Sequence, residues 1–294
     1  MPAKPWPAID AARLRTVRRV PFRIVHRGTA LEAGSVARAH LNALARWPEA
    51  LLVDDTCVTM TLPAAERVPF FAAANATLGD AGLIVAWRQE TYPVFAIHTR
   101  ELLATFERAA SRFWGTLTFG AHCNGYVADA AGRPMQLWIA RRSPTKATDP
   151  GKLDNLVGGG VPHGQTPAET IVREGWEEAG LTPAQMRGLR PGRTIRLARD
   201  IAEGFQLESV SVFDLALPPQ LVPQNQDGEV AELHCLAIDQ ALARAAGDAM
   251  TVDASLVTLD FALRHRLLDP QSHSALEAAT RDLWLSGSLF SNSE

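Results

Sequence analysis

The sequence predicts an α/β protein in two units, a smaller one first and a larger one that carries the chemistry. Three observations predict it. Hydrophobic spacing alternates between the two-residue period of strands and the 3.6-residue period of helices, without internal repeats or low-complexity tracts. A turn signal, Asp129-Ala130-Ala131-Gly132-Arg133-Pro134, joins two apolar runs near the middle of the chain. One helix, Pro167 to Ala179, is marked at both ends by its own residues and carries carboxylates directly after a run of glycines.

Taken in order, Pro21–Val25, Leu51–Leu62 and Leu83–Trp87 read as strands, and Ala30–Trp47, Ala64–Leu78 and Arg100–Phe113 have helical spacing. These make a first unit, residues 1–115, with a boundary near Trp114–Gly120. The strand pair Ala121–Ala128 and Met135–Arg141 opens the second, residues 116–294. After the marked helix come strands Thr194–Arg199 and Glu208–Ala216 about a turn at Gly204. A Pro/Gln/Asn loop then leads to Asp227–His234, and the tail from Ser255 is mainly helical.

The marked helix holds the chemistry. Thr166 offers a hydroxyl at the N-cap, Pro167 fits the first helical position and Glu169 completes a capping box. Gly180 suits the left-handed residue that stops a helix. At roughly 100° per residue, Glu174, Glu177 and Glu178 share one face, with Ala168, Ile171, Val172, Gly175 and Ala179 on the other. Like charges at this spacing repel by a few tenths of a kcal/mol per pair, roughly, and a cation removes that cost. Hard oxygen donors suit Mg²⁺ or Mn²⁺, and Mg²⁺ takes one or two carboxylates and leaves its other positions to water and phosphates. Arg173 reaches Glu177 at i+4. The plainer reading, a solvated helix face, is disfavoured by the glycines just upstream.

Gly159, then Gln165 after five residues, then after seven more Arg173-Glu174-Gly175-Trp176-Glu177-Glu178-Ala179-Gly180-Leu181, together resemble the Nudix box. The resemblance implies a mixed-sheet α/β/α sandwich, here preceded by a smaller α/β N-terminal domain. Leu153-Asp154-Asn155-Leu156-Val157 and Asp227-Gly228-Glu229-Val230-Ala231-Glu232 further resemble a subgroup with such a domain, similar to the Nudix part of fungal thiamine pyrophosphokinase and to related plant Nudix proteins. The implied activity is Mg²⁺- or Mn²⁺-dependent hydrolysis of a diphosphate linkage in a small organic or nucleoside diphosphate, in the subgroup thiamine diphosphate or its damaged analogues. Glu174 and Glu178 are then the main metal ligands, while Glu177 either joins them or accepts a proton from water. Glu229 or Glu232 stands as a further ligand or base, against the reading of solvated loop charges.

Two positions depart from the pattern. Gln165 replaces a glutamate, and Gly175 replaces an aliphatic residue at a cost of about 1 kcal/mol of helix propensity, which close packing would recover. Gly159, Gly160, His163, Arg142 and Arg196 are the expected substrate contacts, with Arg141, Arg193 and Arg199 as further basic candidates. Trp87, Trp114, Trp138 and Trp176 lie in apolar contexts and read as core. Cys57, Cys123 and Cys235 are widely separated and read as buried reduced thiols.

Two alternatives stay open: a non-catalytic Nudix-like ligand-binding or regulatory protein, which Gln165 keeps alive, and an isomerase on the same fold, for which neither Cys123 nor Cys235 lies in a supporting motif. With 294 residues, 47% hydrophobic, 21% charged and a net charge of −3, the composition fits a soluble enzyme and argues against general nucleic-acid binding. No apolar run reaches the roughly 18 residues of a membrane span, and the N-terminal stretch lacks the apolar segment of a secretory signal. The expectation is therefore a cytoplasmic protein with a small-molecule diphosphate substrate and no membrane or nucleic-acid partner. A homodimer is the working assumption.

Overall fold

The computed structural model describes residues 6–285. Residues 1–5 and 286–294, which include the end of the expected helical tail, lie outside the described residues. The chain runs α1 (Pro7–Ala11), β1 (Arg19–His26), β2 (Thr29–Ala37), α2 (Leu41–Leu44), β3 (Leu51–Val53), β4 (Val58–Met60), α3 (Ala64–Asp80), β5 (Thr91–Phe95), β6 (Leu102–Glu107) and α4 (Ala110–Trp114). It continues with β7 (Leu117–Ala128), β8 (Pro134–Arg142), β9 (Leu153–Asn155), β10 (Val157–Gly160), α5 (Pro167–Ala179), β11 (Arg190–Ile201), β12 (Gly204–Ala216) and β13 (Val230–Ala237). Helices α6 (Ile238–Ala245), α7 (Val252–Arg264) and α8 (Pro270–Thr280) and the short β14 (Trp284–Leu285) complete it.

The main sheet has the order β13-β8-β7-β12-β11-β14, with β9 paired to β8 and β10 to β7. Its central strand β7 is buried along almost its whole length, as a strand covered on both faces must be. One face packs under α1, α6, α7 and α8. The other packs under α5 and the 3₁₀ turn at Gln185–Gly188. The result is a mixed-sheet α/β/α sandwich, preceded by an N-terminal sheet region.

That region is a sheet in the order β2-β1-β4-β3 together with the β5–β6 pair. Its core gathers around the fully buried Trp114, whose ring lies 4.7 Å from Phe22 and 5.4 Å from Phe71 and whose indole N–H donates to Asn75 Oδ1 at 2.8 Å. Residues Trp6 to Ala12 do not pack there. They join the core formed with α7, and Trp6 Nε1 donates to Ser255 Oγ at 2.8 Å.

Several sequence expectations need correction. Ala30–Trp47 begins as strand β2, to Ala37, and is helical only over residues 38–44, because Arg27 and Gly28, both at positive φ, close a tight hairpin that registers His26 on Thr29. Leu51–Leu62 splits into β3 and β4, with Asp54 Oδ1 accepting from the Thr56 and Cys57 amides in the turn between them. Leu83–Trp87 is loop, with Ala86 at φ 62. Arg100–Phe113 divides into β6 and the short α4, since the edge of β6 is claimed by β5. Helix α3, the β7–β8 hairpin, β11 and β12 stand where the spacing puts them, and the Asp227–His234 segment ends in β13. Of the tryptophans, Trp114 and Trp138 are core, whereas Trp87 and Trp176 are about half exposed. Cys123 is buried, and Cys57 and Cys235 are only half-buried; all three are free thiols. Among the described residues no helix is long and apolar enough to cross a membrane.

Gly34 of β2 faces the backbone at the end of α4, where an added Cβ would sit 2.3 Å from Trp114 O and 2.9 Å from Gly115 O. Neither oxygen is on a flexible side chain. Gly34→Ala is therefore expected to destabilise the protein by about 1–3 kcal/mol, read as a lower urea midpoint at unchanged slope. An unchanged midpoint would show that the α4 backbone yields freely.

Candidate active site

The glycine run is a strand, not an open loop: β10 pairs antiparallel with β7, setting Gly158 opposite His122, Gly159 opposite Ala121 and Gly160 opposite Gly120. What requires glycine is intrusion by side chains. A Cβ at Gly158 would lie 2.7 Å from His122 Nδ1, at Gly159 2.3 Å from Glu174 Oε1, and at Gly160 1.7 Å from the Tyr92 hydroxyl. The strand is bare so that α5 and its carboxylates can approach the backbone.

Helix α5 has the bounds its residues announce. Glu169 N donates to Thr166 Oγ1 at 3.3 Å, Thr166 N donates to Glu169 Oε2 at 2.8 Å, and Gly180 sits at φ 63. Gly175 is a packing residue, since a Cβ there would meet Met186 Cε at 2.8 Å. Gln165 Oε1 accepts from Thr170 Oγ1 at 3.2 Å, so the amide braces the first turn.

The three glutamates are not a uniformly exposed face. Glu178 is 5% exposed and turned inward; its Oε2 accepts the Gly158 amide at 2.8 Å and its Oε1 faces Lys146 Nζ at 3.4 Å. Arg173 spans the other two, donating to Glu174 Oε1 at 2.8 Å and Glu177 Oε2 at 2.7 Å. Burial pushes Glu178 up to about 8 although Lys146 opposes it. Burial, aided by the charge of Glu177 and opposed by Arg173, pushes Glu174 up to about 7. These are desolvated carboxylates with too little positive charge around them.

Glu174, Glu177, Arg173, Gly159 and Gly160 line a cleft of about 630 Å³, as does Glu229, whose carboxylate meets the Lys146 ammonium. Lys146, only 9% exposed at its side chain, was not legible from sequence because it lies in an aperiodic loop. Arg142 borders the cleft but every donor it has is engaged: Nη1 on Asp154 Oδ2 at 2.8 Å, the others on Thr148 and the Asp149 carbonyl. It braces the 143–152 loop. His163 is exposed and lines a separate smaller hollow with Gln165 and Phe119. Arg196 is exposed on β11, outside the residues that line the cleft, and Glu232 is tied to Arg141 and His234 on the outer strand β13. Those last three expected site residues are not brought to the carboxylates.

The N-terminal sheet region supplies the opposite wall through Arg88, Glu90, Arg108 and Arg112. Arg112 Nη2 donates to Glu208 Oε2 at 2.9 Å. Gln206, its carbonyl fixed by Arg199 at 2.7 Å, donates to both Glu208 at 2.9 Å and Asp253 at 3.0 Å. Burial acts to raise Glu208, but Arg112 and Gln206 outweigh it and hold the carboxyl low, whereas burial keeps Asp253 high. One sequence signal could have pointed here: Glu208 is a charge between Leu207 and Val210 in strand β12, two residues from Gln206.

The donor set fits a hard divalent cation. Glu174 and Glu178 are adjacent oxygen donors on one helix, underpinned by a strand kept free of side chains. Among the described residues no group of three or more His, Cys, Asp or Glu side chains is placed to hold a metal, and Arg173 and Lys146 are paired with the carboxylates. Mg²⁺ needs only one or two of them.

The model of the NUDIX domain matches residues 122–255. Nudix hydrolase 20, chloroplastic, of Arabidopsis thaliana is 37% identical over 206 residues, covering 69% of this chain and 54% of the relative. Nudix hydrolase 24, chloroplastic, of the same plant is 36% identical over 218 residues, covering 74% and 59%. The chain thus spans a little over half the length of these curated relatives. A solved protein of Deinococcus radiodurans superposes with a TM-score of 0.45 at 26% identity, over 58% of this chain and 99% of its own.

Glu178→Gln keeps an acceptor for the Gly158 amide and removes a desolvated charge. In chelator it is therefore expected to melt at or above the temperature of the parent protein. A fall equivalent to more than about 1 kcal/mol would show that the ionised pair with Lys146 stabilises the fold.

Proposed function

We propose that the chain, whose residues 122–255 match the model of the NUDIX domain, hydrolyses a diphosphate linkage in a small organic or nucleoside diphosphate with Mg²⁺ or Mn²⁺. The observation that supports the reading is one cleft lined by Glu174 and Glu177 of α5 together with Arg88, Arg108 and Arg112 of the N-terminal sheet region, with Glu178 buried on the same helix against the Gly158 amide. The relatives named as Nudix hydrolases support turnover over mere binding. Thiamine diphosphate and its damaged analogues are the first candidates, on the strength of the sequence resemblance.

Glu174 and Glu178 would hold the cation, which when bound supplies charge neutralisation on the diphosphate oxygens and activates water. Gly158 N–H fixes the Glu178 carboxylate, and Arg173 fixes Glu174 and Glu177. Glu177, at the more open end of the row, accepts the proton of the attacking water. Arg88, Arg108 and Arg112 face the phosphates across the cleft. Gln165 packs against the first turn of α5, so its lack of charge does not weaken this arrangement. An isomerase proton shuttle finds no thiol here: Cys123 is fully buried and burial pushes it far up.

Release of phosphate or monophosphate should be measured from a panel of thiamine diphosphate, oxidised thiamine diphosphates, ADP-ribose and deoxynucleoside triphosphates, with Mg²⁺ or Mn²⁺ and a chelator control. Chelator-sensitive cleavage of one class is expected. Binding without cleavage would move the assignment to a ligand-binding protein. Glu178→Gln should lower turnover at least about a hundredfold, and equal turnover would remove Glu178 from the metal site. Arg88 makes only a 4.0 Å contact with Glu229, so Arg88→Met should raise KM about tenfold with kcat little changed if the N-terminal region binds phosphate.

A further inference from the structure

Lys146 is a buried ammonium between two acids. Its Nζ lies 3.4 Å from Glu178 Oε1 and is also paired with Glu229, and its side chain is 9% exposed. Lysine is rarely this buried unless paired, and its stem is flexible enough to change partners. The Glu178 carboxylate has a division of labour: Oε2 is committed to the Gly158 amide, while Oε1 is the oxygen that faces Lys146. Arg173 is differently placed, bridging two carboxylates within one helix and half exposed.

We propose that Lys146 is an exchangeable counter-ion: it neutralises Glu178 and Glu229 in the metal-free protein, and when a divalent cation takes Glu178 Oε1 the ammonium turns to a substrate phosphate oxygen. The inference rests on the metal-site reading above. The exchange conserves charge locally. A dication arriving at Glu178 would face the ammonium across the same oxygen, and a phosphate brings the negative charge that draws the ammonium away. The loop that carries Lys146 keeps its place meanwhile, because Arg142 holds Thr148 and Asp149 independently of the lysine. Lys146 therefore couples the two ligands: it opposes cation binding alone and favours cation and phosphate together.

The test uses the full chain and Mn²⁺ as probe, with the affinity of the metal alone read from its electron spin resonance signal, and then the affinity of inorganic pyrophosphate at saturating Mn²⁺. Lys146→Met should bind Mn²⁺ alone about tenfold more tightly, the scale of one partly buried ion pair that no longer has to be broken. The same variant should bind pyrophosphate more weakly by about the same factor, and Lys146→Arg should restore pyrophosphate binding. Glu229→Gln, which releases the ammonium from its second acid and leaves Glu178 in place, guards against misfolding in the methionine variant and should weaken Mn²⁺ binding, because Lys146 is then paired with Glu178 alone. Unchanged or weaker Mn²⁺ binding in Lys146→Met, beside normal binding in the parent, overturns the exchange alone. A parent protein that takes up no Mn²⁺ overturns the metal-site reading and the exchange with it.

Discussion

The burial of Glu178 is the constraint on which the site depends. A carboxylate 5% exposed must be hydrogen-bonded and neutralised, and each neighbouring feature answers one of those needs. The Gly158 amide supplies the hydrogen bond, which requires β10 to stay unencumbered where α5 crosses it. The loop before β9 supplies an ammonium, which requires Arg142 to hold that loop closed. The caps of α5 fix where along the strand the carboxylate arrives. The site is thus an electrostatic deficit built by packing, and the cleft in front of it is where that deficit is relieved.

The opposite wall shows how the N-terminal sheet region takes part. Arg112 reaches across to Glu208 on a strand of the main sheet, and the Gln206 amide, oriented by Arg199, ties Glu208 to Asp253 at the start of α7. One chain of hydrogen bonds therefore runs from α4 through β12 to α7. The region that lacks any chemical motif of its own is fixed to the cleft by this network, and its arginines face the α5 acids because of it.

Legibility in the sequence followed locality. Helix α5 was readable to the residue because Thr166, Pro167, Glu169 and Gly180 each report on their own neighbours. The β7–β8 hairpin was readable because Asp129 caps its turn through the amides of Ala131 and Arg133. Strand β2 was not, since Ala33, Gly34 and Ser35 carry little periodic signal and the strand is decided by its pairing with β1. The glycines of β10 were seen as chemically meaningful, yet their reason is the intrusion of His122, Glu174 and Tyr92 from distant positions. Lys146, Arg108 and Arg112 belong to the same class: charged residues whose function is set by what folds against them. For Arg142 and Arg196 the sequence could not say that the first spends its guanidinium on Asp154 and the 143–152 loop, or that the second lies outside the residues lining the cleft.

The position of α1 bears on how the protein is made. Trp6 and Ile9 pack against α7, and the Trp6–Ser255 hydrogen bond closes a separation of 249 positions. This segment therefore has no partner until almost the whole main sheet has been synthesised. Meanwhile the N-terminal sheet region has the contacts of its own core around Trp114 in hand. Assembly should thus be staggered, an early local collapse followed by a late closure whose entropy cost grows only slowly with the length of chain enclosed. The exposed indole of the waiting segment is the apolar surface that nascent-chain chaperones would shield in the interval.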